Sequence, residues 1–462
     1  MRSLPPPDSS IKISRTRRNL VTIVVLPGLA TLMLVSSAAA GSTSSAAIRI
    51  ISRDDNKAQI DGYNPSVSRD GTMVTFSSAV TAVGGDLNGT TDAFLRDRPA
   101  GTLSVISSSS TGEIGDRGGV AGDISADGTT ALVSSSSTNL VPNDTNSGSC
   151  DPAARGEDCY YDVFVKNLVT QQITRVSVSS SGAEADDSSG SEDISRSGRY
   201  VVFSSHATNL VRGDTNNHSD IFWHDTVSGK TRRVNVHSRG RQANSPSHYA
   251  TISGNGNLVA FHSDATNLVP DDDNEATDVF VHNMETGRTR LVSVNSNGRQ
   301  GNGWSVYGTI SANGRSVAFA SGATNLSRPD TNKRRSDVFV RDRRSGETSL
   351  VSVGTSEEQS PKGAGIHGIS ASGRFMLFIS TNLPMQDMPS DGISHIYRRD
   401  RELDSTMLID SNAAGEPSNE SIADWSTLSA NGGYVAFSSD ATNLVDDDTN
   451  PGRDIFLKGP LP

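Results

Sequence analysis

A four-residue phrase, Ser-x-[Asp/Asn/Ser]-Gly, recurs at seven near-evenly spaced positions along the chain. Its serines are Ser68, Ser125, Ser195, Ser253, Ser311, Ser370 and Ser429, spaced by 57, 70, 58, 58, 59 and 59 residues. A fixed period of this length means one supersecondary unit copied and packed against itself, which constrains the fold more than any composition does. In the fourth copy the unit resolves into four short runs with strand character: 249–253, 258–261, 279–281 and 290–294, called a to d. Asn255-Gly256 makes a tight a–b turn and Glu285-Thr286-Gly287 a tight c–d turn, while the b–c and d–a connections are long. No segment beyond residue 40 has helical periodicity of useful length.

Seven units of four antiparallel strands predict an all-β chain, a seven-bladed β-propeller. The last unit stops after its strand c (454–457), and an isolated strand d (48–51) precedes the first. The two should complete one blade and close the ring, since an open array would leave unpaired edges. Twelve of the thirteen phenylalanines fall at two repeat positions, the end of strand b (such as Phe261) and strand c (such as Phe280), and read as core.

The Ser-x-Asp-Gly turn, the Val-Ala-Phe-Ser strand and the Asp-Val-Phe-Val strand together resemble the WD40-like PD40 repeats of the TolB family, an exported bacterial group. The resemblance covers about residues 48–457 and implies the fold. TolB proteins have six blades, a separate N-terminal domain and partners in the cell envelope; seven repeats depart from that pattern, so their role does not carry over.

The N-terminus reads as an export signal over 1–40: a basic region (Arg15, Arg17, Arg18), an apolar run and Ala38-Ala39-Ala40 as cleavage site. Thr16-Arg17-Arg18-Asn19-Leu20-Val21 has the look of a twin-arginine signal. A linker at 41–47 then leads to a propeller over 48–458, placed in the periplasm or outside the cell. The net charge is −11; residues 1–40 hold five bases and one acid, so the remainder has 36 against 51, or −15. Such a surface repels phosphate backbones, which excludes nucleic acid as the expected partner. The expected state is a monomer with no membrane span after cleavage. In an oxidising compartment Cys150 and Cys159 are expected to form a disulfide stapling one local loop.

Binding residues concentrate on long loops held by rigid scaffolds, so the working surface is expected on the b–c/d–a face near the central mouth. The b–c loops carry Asp-x-Asn-x3-Asp, as Asp86/Asn88/Asp92, Asp214/Asn216/Asp220, Asp272/Asn274/Asp278 and Asp448/Asn450/Asp454. Alternating oxygen ligands suit Ca2+; the same side chains also cap their own turn amides. Just ahead of strand a stand Tyr63, Tyr249, Tyr307 and Trp425, with His367, Glu192 and Asp193 nearby. With strand a innermost, these would ring the channel mouth and hold a sugar or peptide. No Gly-x-Ser-x-Gly elbow, His-Glu-x-x-His, phosphate loop or Cys-x-x-Cys occurs. His224 and His282 share a position at the end of strand c and read as structural.

Two functions stay open. One is a non-enzymatic propeller binding a protein partner or glycan, with structural calcium in the loops. The alternative is a carbohydrate-active enzyme, lyase or hydrolase, at the channel mouth. Some lyases of pectate fragments have a related propeller with a histidine-rich metal centre; here His248 and His367 are the histidines near the mouth, two blades apart.

Overall fold

The computed structural model describes residues 46–462 apart from 55, 81–87, 147–159, 328–330, 333 and 386–390. The signal region, Asp86 and the Cys150/Cys159 pair therefore lie outside the described residues. The repeat unit folds as its turns dictate. In blade 4, strand a (Ser247–Ile252), strand b (Leu258–Ser263), strand c (Asp278–Asn283) and strand d (Arg288–Leu291) form one antiparallel sheet in that order. Seven such four-stranded sheets make the described chain an all-β, seven-bladed propeller. The short strand Ile48–Ile50 pairs antiparallel with Asp454–Lys458, Ile48 opposite Lys458, and closes the ring as the fourth strand of blade 7.

The repeated phrase works as a turn lock. In each copy the serine hydroxyl accepts the N–H of the residue five positions on, at 2.9–3.1 Å, as in Leu258 N–H to Ser253 Oγ. In five copies it also donates to the Asp or Asn two positions on, as in Ser68 to Asp70 at 2.9 Å. The glycine that follows adopts φ between 69° and 78° in all seven, a conformation open to glycine at little cost.

The phenylalanines meet within a blade. Phe261 and Phe280 face each other across strands b and c with ring centroids 5.8 Å apart, and Phe76/Phe94, Phe203/Phe222, Phe319/Phe339 and Phe437/Phe456 repeat the pair. Tyr397 takes the place of the missing phenylalanine opposite Phe378. These pairs belong to core clusters that run from blade to blade; burying each ring contributes ~1.5–3 kcal/mol. His224 and His282 are buried, each with Nδ1 2.9 Å from a strand-d threonine hydroxyl, Thr231 or Thr289, and so have the structural place expected of them.

Two expectations need correction. Strand a starts earlier than the apolar pattern suggests, so Tyr63, Tyr249, Tyr307 and Trp425 all lie within strand a (Tyr63–Val67, Ser247–Ile252, Ser305–Ile310 and Ile422–Leu428) rather than ahead of it. Polar residues flanking the innermost strand hid its start. The d–a connections are also more regular than their sequences imply. Each begins with a tight turn closed by one β-bridge, such as Val236↔Gln242, Val294↔Gln300 and Val353↔Gln359. A single bridge pair carries no periodicity to read.

Candidate functional site

Strand a is the innermost strand, and all seven copies line a cavity on the axis. Each carries an irregularity in its pairing with strand b, as between His248 and Thr251 or Val306 and Thr309. At this bulge Asn64, Tyr249 and Tyr307 take φ of 52°, 51° and 56°. The left-handed conformation costs a non-glycine residue about 1 kcal/mol or more and persists where the surroundings enforce it. The enforcing groups come from the preceding blade. Tyr307 N–H donates to His262 Nδ1 at 3.3 Å. The Glu192 carboxylate lies against the amides of Tyr249 and Ala250 and the Ser204 hydroxyl, which hold its pKa down against burial.

The outcome is a cluster of rings near the long-loop end of the axis. Tyr249 and Tyr307 meet edge to face at 4.8 Å, and His262 stacks on Tyr249 at 5.2 Å and lies 5.8 Å from Tyr307. His248 is 6.0 Å from His262. Tyr249 and Tyr307 remain 40% and 44% exposed, far more than two contacting aromatic rings in a core would be. Burial and the neighbouring His248 lower the His262 pKa to about 4, so its ring is neutral and able to accept the Tyr307 amide.

Carboxylates lie nearby: Glu192 beside Tyr249, and Asp123 and Asp193 lining the axial cavity. Burial, reinforced by Asp123, raises Glu192 to about 7 against the opposing hydrogen bonds from Ser204, Ala250 and Tyr249. Asp193 is raised by burial and by the charge of Asp123, which is itself raised by burial. Asp193 is tied into the frame: its Oδ2 accepts the Ile252 amide at 2.7 Å and its Oδ1 the Ile194 amide at 2.6 Å.

The other expected ligand-binding residues are dispersed. Tyr63 bonds Thr91 through its hydroxyl at 2.6 Å, and His367 Nδ1 is 2.8 Å from Ser426 Oγ across blades 6 and 7. Trp425 is 51% exposed on strand a of blade 7 (Ile422–Leu428), two blades beyond Tyr307. His248 and His367 do not converge, and among the described residues no three His, Cys, Asp or Glu side chains form a group able to hold a metal. Sequence reasoning missed His262, which lies in strand b where other blades have Ser77, Ser134, Ser204 or Ser438. It also missed Trp304, 40% exposed at the entry to strand a of blade 5. The histidine in a serine position was the available signal.

The Asp-x-Asn loops have a consistent internal chemistry. Asn88, Asn216 and Asn274 each donate through Nδ2 to a carbonyl of the following d–a turn: Gly115 at 2.8 Å, Ala243 at 3.1 Å and Gly301 at 2.9 Å. Asn88 and Asn216 also donate to Asp92 and Asp220, and the Asn oxygens accept amides of their own loops. A donor stands between the two aspartates of a loop. It is an amide in two blades: Gln300 Nε2 reaches Asp272 and Asp278 at 2.8 and 2.7 Å, and Gln59 Nε2 reaches Asp448 and Asp454 at 3.0 and 3.1 Å. With its amide turned, Asn450 also donates to Asp448 and Asp454. In blade 3 it is a guanidinium, Arg233 lying 3.1 Å from Asp214 and 3.2 Å from Asp220. Arg175 plays that part in blade 2 with Asp144 and Asp162. Burial raises Asp214 and Asp278 to about 6 and Asp454 to about 7. Blade 6 inverts the pattern: His395 replaces the strand-c aspartate, and its Nδ1 lies 2.7 Å from Asp410, which replaces the serine that follows strand d in most blades. Burial opposes protonation of His395, but Asp410 outweighs it and the pKa is raised.

Fold and site together define a seven-bladed propeller with an aromatic and acidic axial mouth. No protein-family model matches the chain, and no curated protein matches it in sequence. Among solved structures it is similar to an oligogalacturonate lyase from Vibrio parahaemolyticus, with 11% identity and a TM-score of 0.51 over 90% of this chain and 97% of that one. The β-propeller domain of the Trilobed protease from Pyrococcus furiosus matches at 10% identity and TM-score 0.49 over 86% and 95%. TolB from Acinetobacter baumannii matches at 11% identity and TM-score 0.38 over 87% and 78%. These likenesses are of fold.

Proposed function

We propose that the chain is an exported, non-enzymatic binding propeller that holds a glycan or a segment of a partner protein on its long-loop face. The exposed Tyr249–Tyr307 pair, held in a left-handed backbone by groups of the preceding blades, carries this reading. Aromatic faces beside a carboxylate and neutral imidazoles suit sugar rings and apolar side chains that also offer a hydrogen-bond donor. Trp304 and Trp425 extend the aromatic surface around the rim. Tyr249→Ala and Tyr307→Ala should weaken capture of the ligand selected from a glycan array or an envelope extract by about tenfold or more, with circular dichroism unchanged. Equal affinity in both variants would overturn the proposal.

Glu192 supports a second reading. A carboxylate beside Tyr249 with a pKa of about 7 is poised for general acid–base work, and the lyase of similar fold is named for oligogalacturonate. Under that reading the chain is a carbohydrate-active enzyme. Turnover of an acidic oligosaccharide that is abolished in Glu192→Gln, with binding retained, would establish it; no turnover across a panel of such substrates would leave the binder.

A further inference from the structure

The opposite end of the axis holds a second site. A cavity of about 610 Å3 opens among the a–b turns, lined by Arg69, Arg196, Asn255, Asn313 and Asn431 among others. The turns are fastened to one another: Arg69 N–H donates to Ala126 O at 3.1 Å, Gly254 N–H to Ala312 O at 2.9 Å, Asn313 N–H to Ala371 O at 3.2 Å and Ala371 N–H to Ala430 O at 2.8 Å. The mouth is therefore a preformed rim.

Its free polar groups are donors. Arg69 and Arg196 are exposed, and neither guanidinium has a hydrogen bond or ion pair among the described residues. Asn255 and Asn431 spend their oxygens inside their own turns, accepting the Ser253 hydroxyl and Asn257 N–H, or the Ser429 hydroxyl and Gly433 N–H. Their amide nitrogens carry no hydrogen bond among the described residues, whereas Asn313 Nδ2 is taken by Ser372 O at 3.0 Å. The nearby acids do not neutralise the arginines by contact. Asp70 and Asp127 are taken up by Ser68 and Thr72, and by Ser125 and Thr129. Asp123 and Asp193 lie further in, around a narrower cavity of about 150 Å3 that Arg196 also lines. A donor-lined mouth above a carboxylate floor admits an anion and stops it there.

We propose that this mouth binds a small multivalent oxyanion, a polycarboxylate or a polyphosphate, gripped by Arg69 and Arg196. Two guanidinium groups from blades 1 and 3 facing one cavity call for at least two negative charges, and each fork matches a carboxylate or phosphate edge. The cavity has room for such an ion together with water. The site is independent of the aromatic mouth and of what binds there.

Calorimetric titration of the whole chain with citrate and with pyrophosphate tests it, the two probes separating the carboxylate from the phosphate source. At least one should bind. Arg69→Gln and Arg196→Gln should each weaken that probe about tenfold, and raising the salt should weaken it further. Arg299→Gln, an exposed charge change on the long-loop face, should leave it unaltered. Binding of neither probe, or equal losses from Arg299→Gln and the two mouth variants, would overturn the assignment.

Discussion

Gly256 has no room for a side chain: a Cβ there would stand 2.0 Å from Cδ2 of Tyr200 in the neighbouring blade, and φ is +77°. Gly256→Ala should therefore destabilise the protein by about 2–4 kcal/mol, strain and overpacking adding, as read by urea unfolding. Gly287, also at positive φ but with open space around it, should cost only about 1 kcal/mol when changed to Ala. Both glycines stand out in the sequence as turn markers; only the packing of Tyr200 separates them. Tyr249 and Tyr307 were legible for a related reason, as large aromatics beside strands otherwise built from small and β-branched residues. His262 showed only as a histidine in a serine position; its role was not legible, because it acts on the next blade, and a partner some 45 residues away leaves no local pattern.

Strand c shows what an element must do in a propeller beyond pairing. Two residues after its central aromatic each blade places a base: Arg96, Lys166, His224, His282, Arg341, Arg399 or Lys458. Several of these cross to the preceding blade. Lys166 is fully buried and donates to Ser108 O at 2.9 Å and Ser109 O at 3.1 Å, while Lys458 donates to Ser411 O at 2.8 Å. Lys166→Met should cost about 1–3 kcal/mol by orphaning those carbonyls, measured as a fall in the urea midpoint at constant slope. The b–c loops make a second element-scale test. With Arg233 and Gln300 standing between paired aspartates, Tm should be the same in EDTA and in Ca2+. A rise in Ca2+ would make the loops metal sites. The sequence displayed the carboxylates but not their partners, since Arg233 and Gln300 lie on strand d and in the bridge turn that follows it.

Across the whole ring the buried carboxylates set the pH response. Burial raises Asp144, Asp214 and Asp278 to about 6 and Asp454 to about 7 in the folded state, above an unfolded value near 3.8. The folded chain then holds more protons than the unfolded one between about pH 4 and 7. Their contribution is complete below about pH 4 and is lost as pH rises through 6 to 7. Asp225, Asp342 and Asp400 are lowered, first of all by hydrogen bonds from Arg199, Arg315 and Arg374, and their contribution fades below pH 4. Tm should be about 3–5 °C higher at pH 5 than at pH 7.5 and fall again below about pH 4; a flat or rising profile toward pH 7.5 would contradict the assignment. The seven-fold architecture itself was plain from the repeat, because one period fixes the unit, the blade number and the closing strand together.

The closing strand has a mechanical consequence. Ile48 lies opposite Lys458 in antiparallel register, so the chain leading into one and away from the other departs from the same end of the seam. Tension between those two segments would peel the three residue pairs apart one after another, as a zipper opens, rather than shear them together. A propeller sewn this way resists heat cooperatively, yet under a pull at its ends it should yield first, and at low force, at blade 7.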